Sequence, residues 1–359
     1  DIGYDANGNT TAIVPPGRTA HAFTHTPVEL EAQYSPPALP DIADAATRFA
    51  YNRDREPTRI ERPDGSAIDL AYNPLGQLAA LTPSAGAGNA VAYSYAPGSG
   101  QLSSIATADA TLAIAYDGPL VTGETLSGGV AASITRGFDT NFRISSLGVN
   151  GVSTAYGYDA DSLLTRAGDL TLARHPGHGM VSGSTLGSVT TSHSYNGFGE
   201  LAAFNAAHAG NALYGYSLAY DKGGRIVGRT ETVQGASSAY SYTYDAAGRL
   251  SSVTRDGASQ GSWGYDANGN RTHEGGSLVA QFDAQDRLQS RGGTSYRYTA
   301  HGTLREKVQA GQTTRYGYDA FGNLRSVELP GGGRINYLID GLNRRIGRRV
   351  NGMLVQGFV

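Results

Sequence analysis

The sequence predicts an all-β protein, a long series of antiparallel β-hairpins wound as a spiral strip that forms part of a hollow shell. Three observations carry that expectation. A short motif recurs along all 359 residues, aromatics alternate with small residues before each copy, and glycine reaches 50 residues. Glycine at about twice its usual share with no G-X-Y period excludes collagen, and regularly placed tyrosines argue against disorder.

The motif is an aromatic, Asp or Asn, two free positions, Gly, one free position and an aliphatic residue. Clean copies begin at Tyr72, Tyr244 and Tyr318. Copies are anchored at Tyr4, Tyr51, Tyr72, Tyr95, Tyr116, Phe138, Tyr158, Tyr195, Tyr220, Tyr244, Tyr265, Phe282, Tyr298, Tyr318 and Ile339. The gaps after Tyr4 and Tyr158 are expected to hold degenerate copies or long loops. The second residue, as in Asp5, Asn73, Asn196, Asp221, Asp245, Asp266 and Asp319, can accept backbone N–H bonds and start an Asx turn. The glycine supplies positive φ at a G1 bulge, as expected for Gly8, Gly76, Gly199, Gly224, Gly248, Gly269, Gly302 and Gly322. Arg55, Leu120, Phe142, Ser162 and Asp286 stand in its place elsewhere, which predicts other turns there.

Strands follow from period two. Tyr93-Ser94-Tyr95, Tyr240-Ser241-Tyr242-Thr243-Tyr244 and Tyr316-Gly317-Tyr318 alternate faces, and Leu250–Val253 and Leu324–Val327 read as return strands. A second turn falls midway between anchors, at Asp64-Gly65, Asn150-Gly151, Asp256-Gly257 and Ala310-Gly311. From Val14 to Pro40 the chain is proline-rich, which predicts a loop or strap. Fifteen hairpins give about thirty strands spaced about 4.8 Å apart. One ring of them would be roughly 45 Å across, too wide for side chains to fill. Such a sheet is expected to wind into a spiral around a space.

Composition narrows the chemistry. Cys is absent, which removes disulfides, Cys-ligated zinc and thiol catalysis. A formal charge of −3 implies no global affinity for nucleic acid, and no apolar run is long enough to span a membrane. The pairs His175/His178 and His21/His25 lie in Gly- or Pro-containing, non-helical contexts and read as loop histidines rather than metal ligands. The aspartates are too far apart for a calcium ladder and read as turn formers. Arg344, Arg345, Arg348 and Arg349 alternate across a strand, so their charge is split between two faces. No catalytic, metal or cofactor site is expected.

These residues closely resemble the YD repeats of the RHS family, related to teneurins and to the C subunits of bacterial Tc toxins. Pro15-Pro16-Gly17-Arg18 and Arg62-Pro63-Asp64-Gly65 look typical of bacterial RHS proteins. The most specific match is the signature Tyr337-Leu338-Ile339-Asp340-Gly341-Leu342-Asn343-Arg344-Arg345. The resemblance implies a non-catalytic shell segment that encapsulates a C-terminal toxin or effector polypeptide for delivery to competing bacteria or host cells. Its implied partners are the rest of the shell, the enclosed polypeptide and a secretion-system or toxin-complex component. Synthesis in the bacterial cytoplasm followed by secretion or surface association is implied as well.

The alternative is an extracellular adhesion module whose repeats bind carbohydrate or cell-surface partners; the absence of Cys leans toward the first reading. Residues 1–50 are expected to form the first repeat and the Pro-rich strap, and residues 51–359 one continuous array. The opening Asp1-Ile2-Gly3, without Met or a leader, suggests a piece of a longer protein. Asp1 and Val359 are expected to continue into further strands.

Overall fold

A computed structural model describes residues 1–42, 44–84 and 90–358, so Val359 lies outside the described residues. Within them every regular element is a β-strand, 36 in all, and there is no helix. The chain forms two compact units. The first joins Asp1–Ile134 to Val279–Val359, and the second is Thr135–Leu278.

In each unit the paired strands are antiparallel and consecutive in the chain, which is the pattern of an unbroken hairpin series. The register slips at the anchor aromatic itself, between Ala71 and Tyr72, Thr243 and Tyr244, and Gly317 and Tyr318. Each slip is a bulge, because the turn adds one residue to one strand. Opposite ends of the hairpins are tight two-residue turns, as at Asn150-Gly151 and Asp256-Gly257, both residues having positive φ.

There are more strands than the anchors imply, because both long gaps contain degenerate copies. In the first, His21–His25 and Glu31–Ser35 form a hairpin within the stretch expected to be a strap. Thr26 replaces the Asp, its hydroxyl accepting the Leu30 N–H at 3.1 Å, and Glu29 takes the left-handed position with φ 65°. In the second, Arg174 replaces the tyrosine and His175 the Asp, with the His175 ring nitrogen accepting the Gly177 N–H at 3.1 Å. The turn needs an acceptor and a donor in the right places, and several residue types can supply them.

The first unit has a hydrophobic core. Ala110, Leu112, Leu126, Val130, Leu338 and Ile346 are buried together, joining segments more than 200 residues apart. All the buried apolar side chains found among the described residues belong to this unit. In the second unit, burial reaches that level only at Gly148, Gly183 and Gly215. A Cβ on Gly183 would lie 2.7 Å from the Thr191 carbonyl oxygen, so that glycine is required by close approach. The second unit is a sheet with two accessible faces.

Candidate functional site

The repeated turn is the chemically richest feature of the chain, and the copy at Tyr244 shows its parts. The Asp245 Oδ1 accepts the N–H groups of Ala247 and Arg249 at 3.0 and 2.9 Å. The Gly248 N–H reaches the Asp245 carbonyl at 2.9 Å, and Gly248 has φ 79°. Two ties then leave the turn. The Tyr244 hydroxyl donates backward to the Ile226 carbonyl at 2.6 Å, and Arg249 Nη1 donates forward to the Asp266 carbonyl at 2.7 Å. This hairpin is thus fastened to both neighbours at its turn as well as along its strands.

The backward tie recurs through the array. Tyr51, Tyr72, Tyr95, Tyr116, Tyr158, Tyr195, Tyr220, Tyr265 and Tyr298 each donate to a carbonyl of the preceding hairpin. In the degenerate copy Arg174 Nε takes over, donating to the Leu164 carbonyl at 2.9 Å. Tyr4 lies exposed on the first strand, and Tyr318 ends the strand Gln312–Tyr318. Asp5, Asn73, Asn196, Asp221, Asp266 and Asp319 accept the same pair of backbone N–H groups as Asp245. Gly8, Gly76, Gly199, Gly224, Gly269, Gly302 and Gly322 have φ between 75° and 90°.

The glycine-free copies require a correction. Arg55, Phe142, Ser162 and Asp286 adopt φ of 58–67° and close the same turn, rather than a different one. A left-handed non-glycine residue costs roughly 1–2 kcal/mol. The Asx hydrogen bonds, such as those of Asp139 to Asn141 and Arg143 at 2.8 and 3.0 Å, hold that conformation. Leu120 is the exception: it begins a strand after a shorter Gly118-Pro119 turn.

The position after the glycine, free in the motif as read from sequence, carries a matched partner. Asp pairs with Arg at Asp139–Arg143, Asp221–Arg225, Asp245–Arg249, Asp283–Arg287 and Asp340–Arg344. Asp pairs with Asn at Asp5–Asn9, Asp266–Asn270 and Asp319–Asn323. Where the second residue is Asn, the partner is an acceptor, as in Asn52–Glu56, Asn73–Gln77 and Asn196–Glu200. The donor and acceptor types covary between copies, and that covariation was the available signal. Backbone donation from Arg225 and Arg249, followed by their guanidinium groups, holds the Asp221 and Asp245 carboxyls below the usual carboxylate range.

The signature Tyr337–Arg345 is the same turn with its first half, Leu338–Gly341, buried. Asp340 is 2% exposed and accepts the N–H groups of Leu342 and Arg344 plus the Arg344 Nε. Asn343 holds the left-handed position at φ 60°, and its Oδ1 accepts the Asn323 Nδ2 at 2.8 Å. Arg345 lies over the Tyr337 ring at 3.9 Å, while Leu342 remains exposed. A Cβ on Gly341 would stand 2.1 Å from Ile105 Cγ2, so here the glycine is demanded by packing rather than by φ.

Residues distant in sequence complete this seam. Asp109 Oδ2 accepts the Ile339 N–H at 3.0 Å and Arg325 Nη1 at 2.6 Å, and Arg344 reaches Glu124 at 3.4 Å. Asp109 and Glu124 were not singled out from sequence, since no local pattern marks a partner over 200 residues away. Two further ties join other distant parts of the first unit, Arg18 to Asp286 at 2.8 Å and His301 to Asp64 at 3.1 Å. His175 and His178 stack at 3.8 Å within one turn, and His21 bonds to the Tyr34 hydroxyl at 2.7 Å. Among the described residues no three His, Asp or Glu side chains converge as a metal site would require.

The family model for the teneurin YD-shell matches residues 1–359. The chain belongs to the teneurin YD-shell family. Human and mouse teneurin-4 are each 25% identical over 169 residues, 45% of this chain and 6% of theirs. A chain of the Photorhabdus luminescens Tc holotoxin pore superposes with a TM-score of 0.65 at 12% identity. It is matched over 99% of this YD-shell chain and 23% of its own length. The TcdB2-TccC3 crystal structure gives a TM-score of 0.56 at 11% identity over 97% of this chain and 23% of that one. The chain therefore spans a quarter or less of each relative.

Proposed function

We propose that this YD-shell chain is a stretch of wall that encloses a C-terminal effector polypeptide for delivery to competing bacteria or host cells. One observation carries the reading. Strand ladders and recurrent tyrosine hydroxyls tie neighbouring hairpins, yet the second unit buries no apolar side chain among its described residues. Globular domains hide one face of a sheet against another layer. A sheet stiffened by its turns and open on both faces suits a wall with contents on one side and solvent on the other.

In this reading the Asx turns and their tyrosine ties form the scaffold, residues 51–359 act as one array and residues 1–50 as its entry segment. The role requires no catalysis by this chain. Its partners are the rest of the shell, the enclosed polypeptide and a toxin-complex or secretion component. The experiment is limited proteolysis of the full-length protein. The effector segment should resist added protease until the wall is denatured, and digestion as fast as that of the free effector would favour the adhesion reading instead.

A further inference from the structure

One turn of the second unit is closed by imidazole nitrogens. It joins the strands Leu170–Arg174 and Val181–Leu186. In the copy at Tyr244 a single carboxylate oxygen of Asp245 takes two N–H groups, those of Ala247 and Arg249. Here the same work is divided between two rings. His175 Nδ1 accepts the Gly177 N–H at 3.1 Å, and His178 Nδ1 accepts the Met180 N–H at 3.3 Å. The rings lie 3.8 Å apart and 2° from parallel, and both residues are exposed. Other copies use an oxygen acceptor, of a carboxylate at Asp221, an amide at Asn196 or a hydroxyl at Thr26.

We propose that this hairpin is an acid-sensitive joint in the second unit: its turn opens at mildly acidic pH, where the aspartate turns stay closed. The tautomer fixes the chemistry. A neutral imidazole that accepts at Nδ1 carries its hydrogen on Nε2, so the next proton can go only to Nδ1, the atom the turn uses. The resulting imidazolium has no acceptor left, and its Nδ1–H faces a backbone N–H. Protonation of both rings also sets two like charges against one another in the stack. Imidazole takes up its proton between about pH 8 and pH 5, whereas a carboxylate keeps its charge down to about pH 4. The hold of the ring acceptors is therefore present at neutral pH and lost as pH falls, ahead of the aspartate turns.

The surrounding charges leave that uptake open. Arg174, on the same hairpin, donates to the Leu164 and Gly179 carbonyls and opposes a further positive charge. The preceding turn, whose Leu163 lies against Gly179, carries Asp159 and Asp161. The following turn, whose Gly199 lies against Met180, carries Glu200. These carboxylates favour the added charge. Tyr195 stands edge-on to His178 at 5.8 Å, and its hydroxyl holds the Val181 carbonyl at 2.8 Å. On the flanking strands, Arg166 is bonded to the Gly168 carbonyl and His193 packs on Phe204.

Hydrogen exchange of the full-length protein, corrected for the intrinsic pH dependence of amide exchange, gives the test. From about pH 7.5 to about pH 5, protection of the segment Leu170–Leu186 should fall about tenfold, the worth of a lost hydrogen bond, while the turns at Asp221 and Asp245 keep theirs. His175→Asn with His178→Asn keeps an oxygen acceptor at both positions and removes the titration, so this variant should hold its protection at about pH 5. Asn73-Pro74 shows that an amide acceptor is accommodated before proline in such a turn. Undiminished protection of the unaltered protein at about pH 5 would overturn the proposal. So would equal losses at the aspartate turns, or the same loss in the Asn variant, since another group would then be titrating. If the double variant is unprotected already at about pH 7.5, His178→Asn alone is read at Met180 by the same outcomes.

Discussion

The two units are built from the same hairpin and held together differently. In the first, Leu112, Leu126, Leu338 and Ile346 bury their side chains, and Asp340 is buried at the start of its turn. In the second, Tyr216, Tyr244 and Arg249 stay half-exposed, and cohesion comes from strand ladders plus ties such as Tyr244 to Ile226. The difference shows that the YD turn is sufficient to build a sheet, while burial is added only where the chain meets a distant part of itself. Stability should therefore be sensitive to side-chain volume in one unit and to hydrogen bonds in the other.

Leu338→Ala should produce the largest effect, a loss of about 2–5 kcal/mol from a buried site. Leu218→Ala in the second unit should cost well under half as much by urea unfolding. Equal losses would break the comparison. Gly341→Ala comes next: its Cβ would overlap Ile105, so about 1–3 kcal/mol is expected. At Gly248, where a Cβ would meet nothing closer than Arg225 at 3.6 Å, the same change costs about 1 kcal/mol through φ alone. Hydrogen exchange should report the Gly341 effect in segments near Ile105, and the Gly248 effect only in its own hairpin.

Tyr244→Phe removes one hydroxyl tie and should cost about 0.5–1.5 kcal/mol, opening exchange at the Ile226 hairpin. A result near zero would mean the ladders alone hold the second unit. The smallest effect concerns acid. Folding lowers the carboxyl pKa of Asp139, Asp221 and Asp245, so the unfolded chain takes up protons first as pH falls. Their stabilisation is complete above about pH 4 and is lost as pH drops through the depressed folded values. Protection of the second unit's aspartate turns should hold down to about pH 4 and decline below it, and Asp245→Asn with Arg249→Gln should flatten that decline.

Local features were legible in the sequence. The Tyr72, Tyr244 and Tyr318 copies predict antiparallel hairpins, because an Asx turn, a left-handed residue and alternating faces are each fixed within about seven residues. Legibility failed where one side chain substitutes functionally for another. Phe142 and Ser162 keep the turn without glycine, and His25 and Arg174 stand in for tyrosine at the anchor. The matched partners of the Asx residues, such as Arg249 and Glu200, were present as covariation but lay at a position the motif leaves open.

By itself the sequence determined the all-β class, the hairpin series and the family, since period-two alternation and turn chemistry act over a few residues. Only the tertiary structure decided that Leu338–Gly341 is buried, that Asp109 joins Arg325 to Ile339, and that Tyr214, Tyr216 and Tyr242 share one groove. Those outcomes depend on which distant strands come face to face. Loop-closure entropy and shape complementarity set that choice, and neither leaves a mark in local residue order.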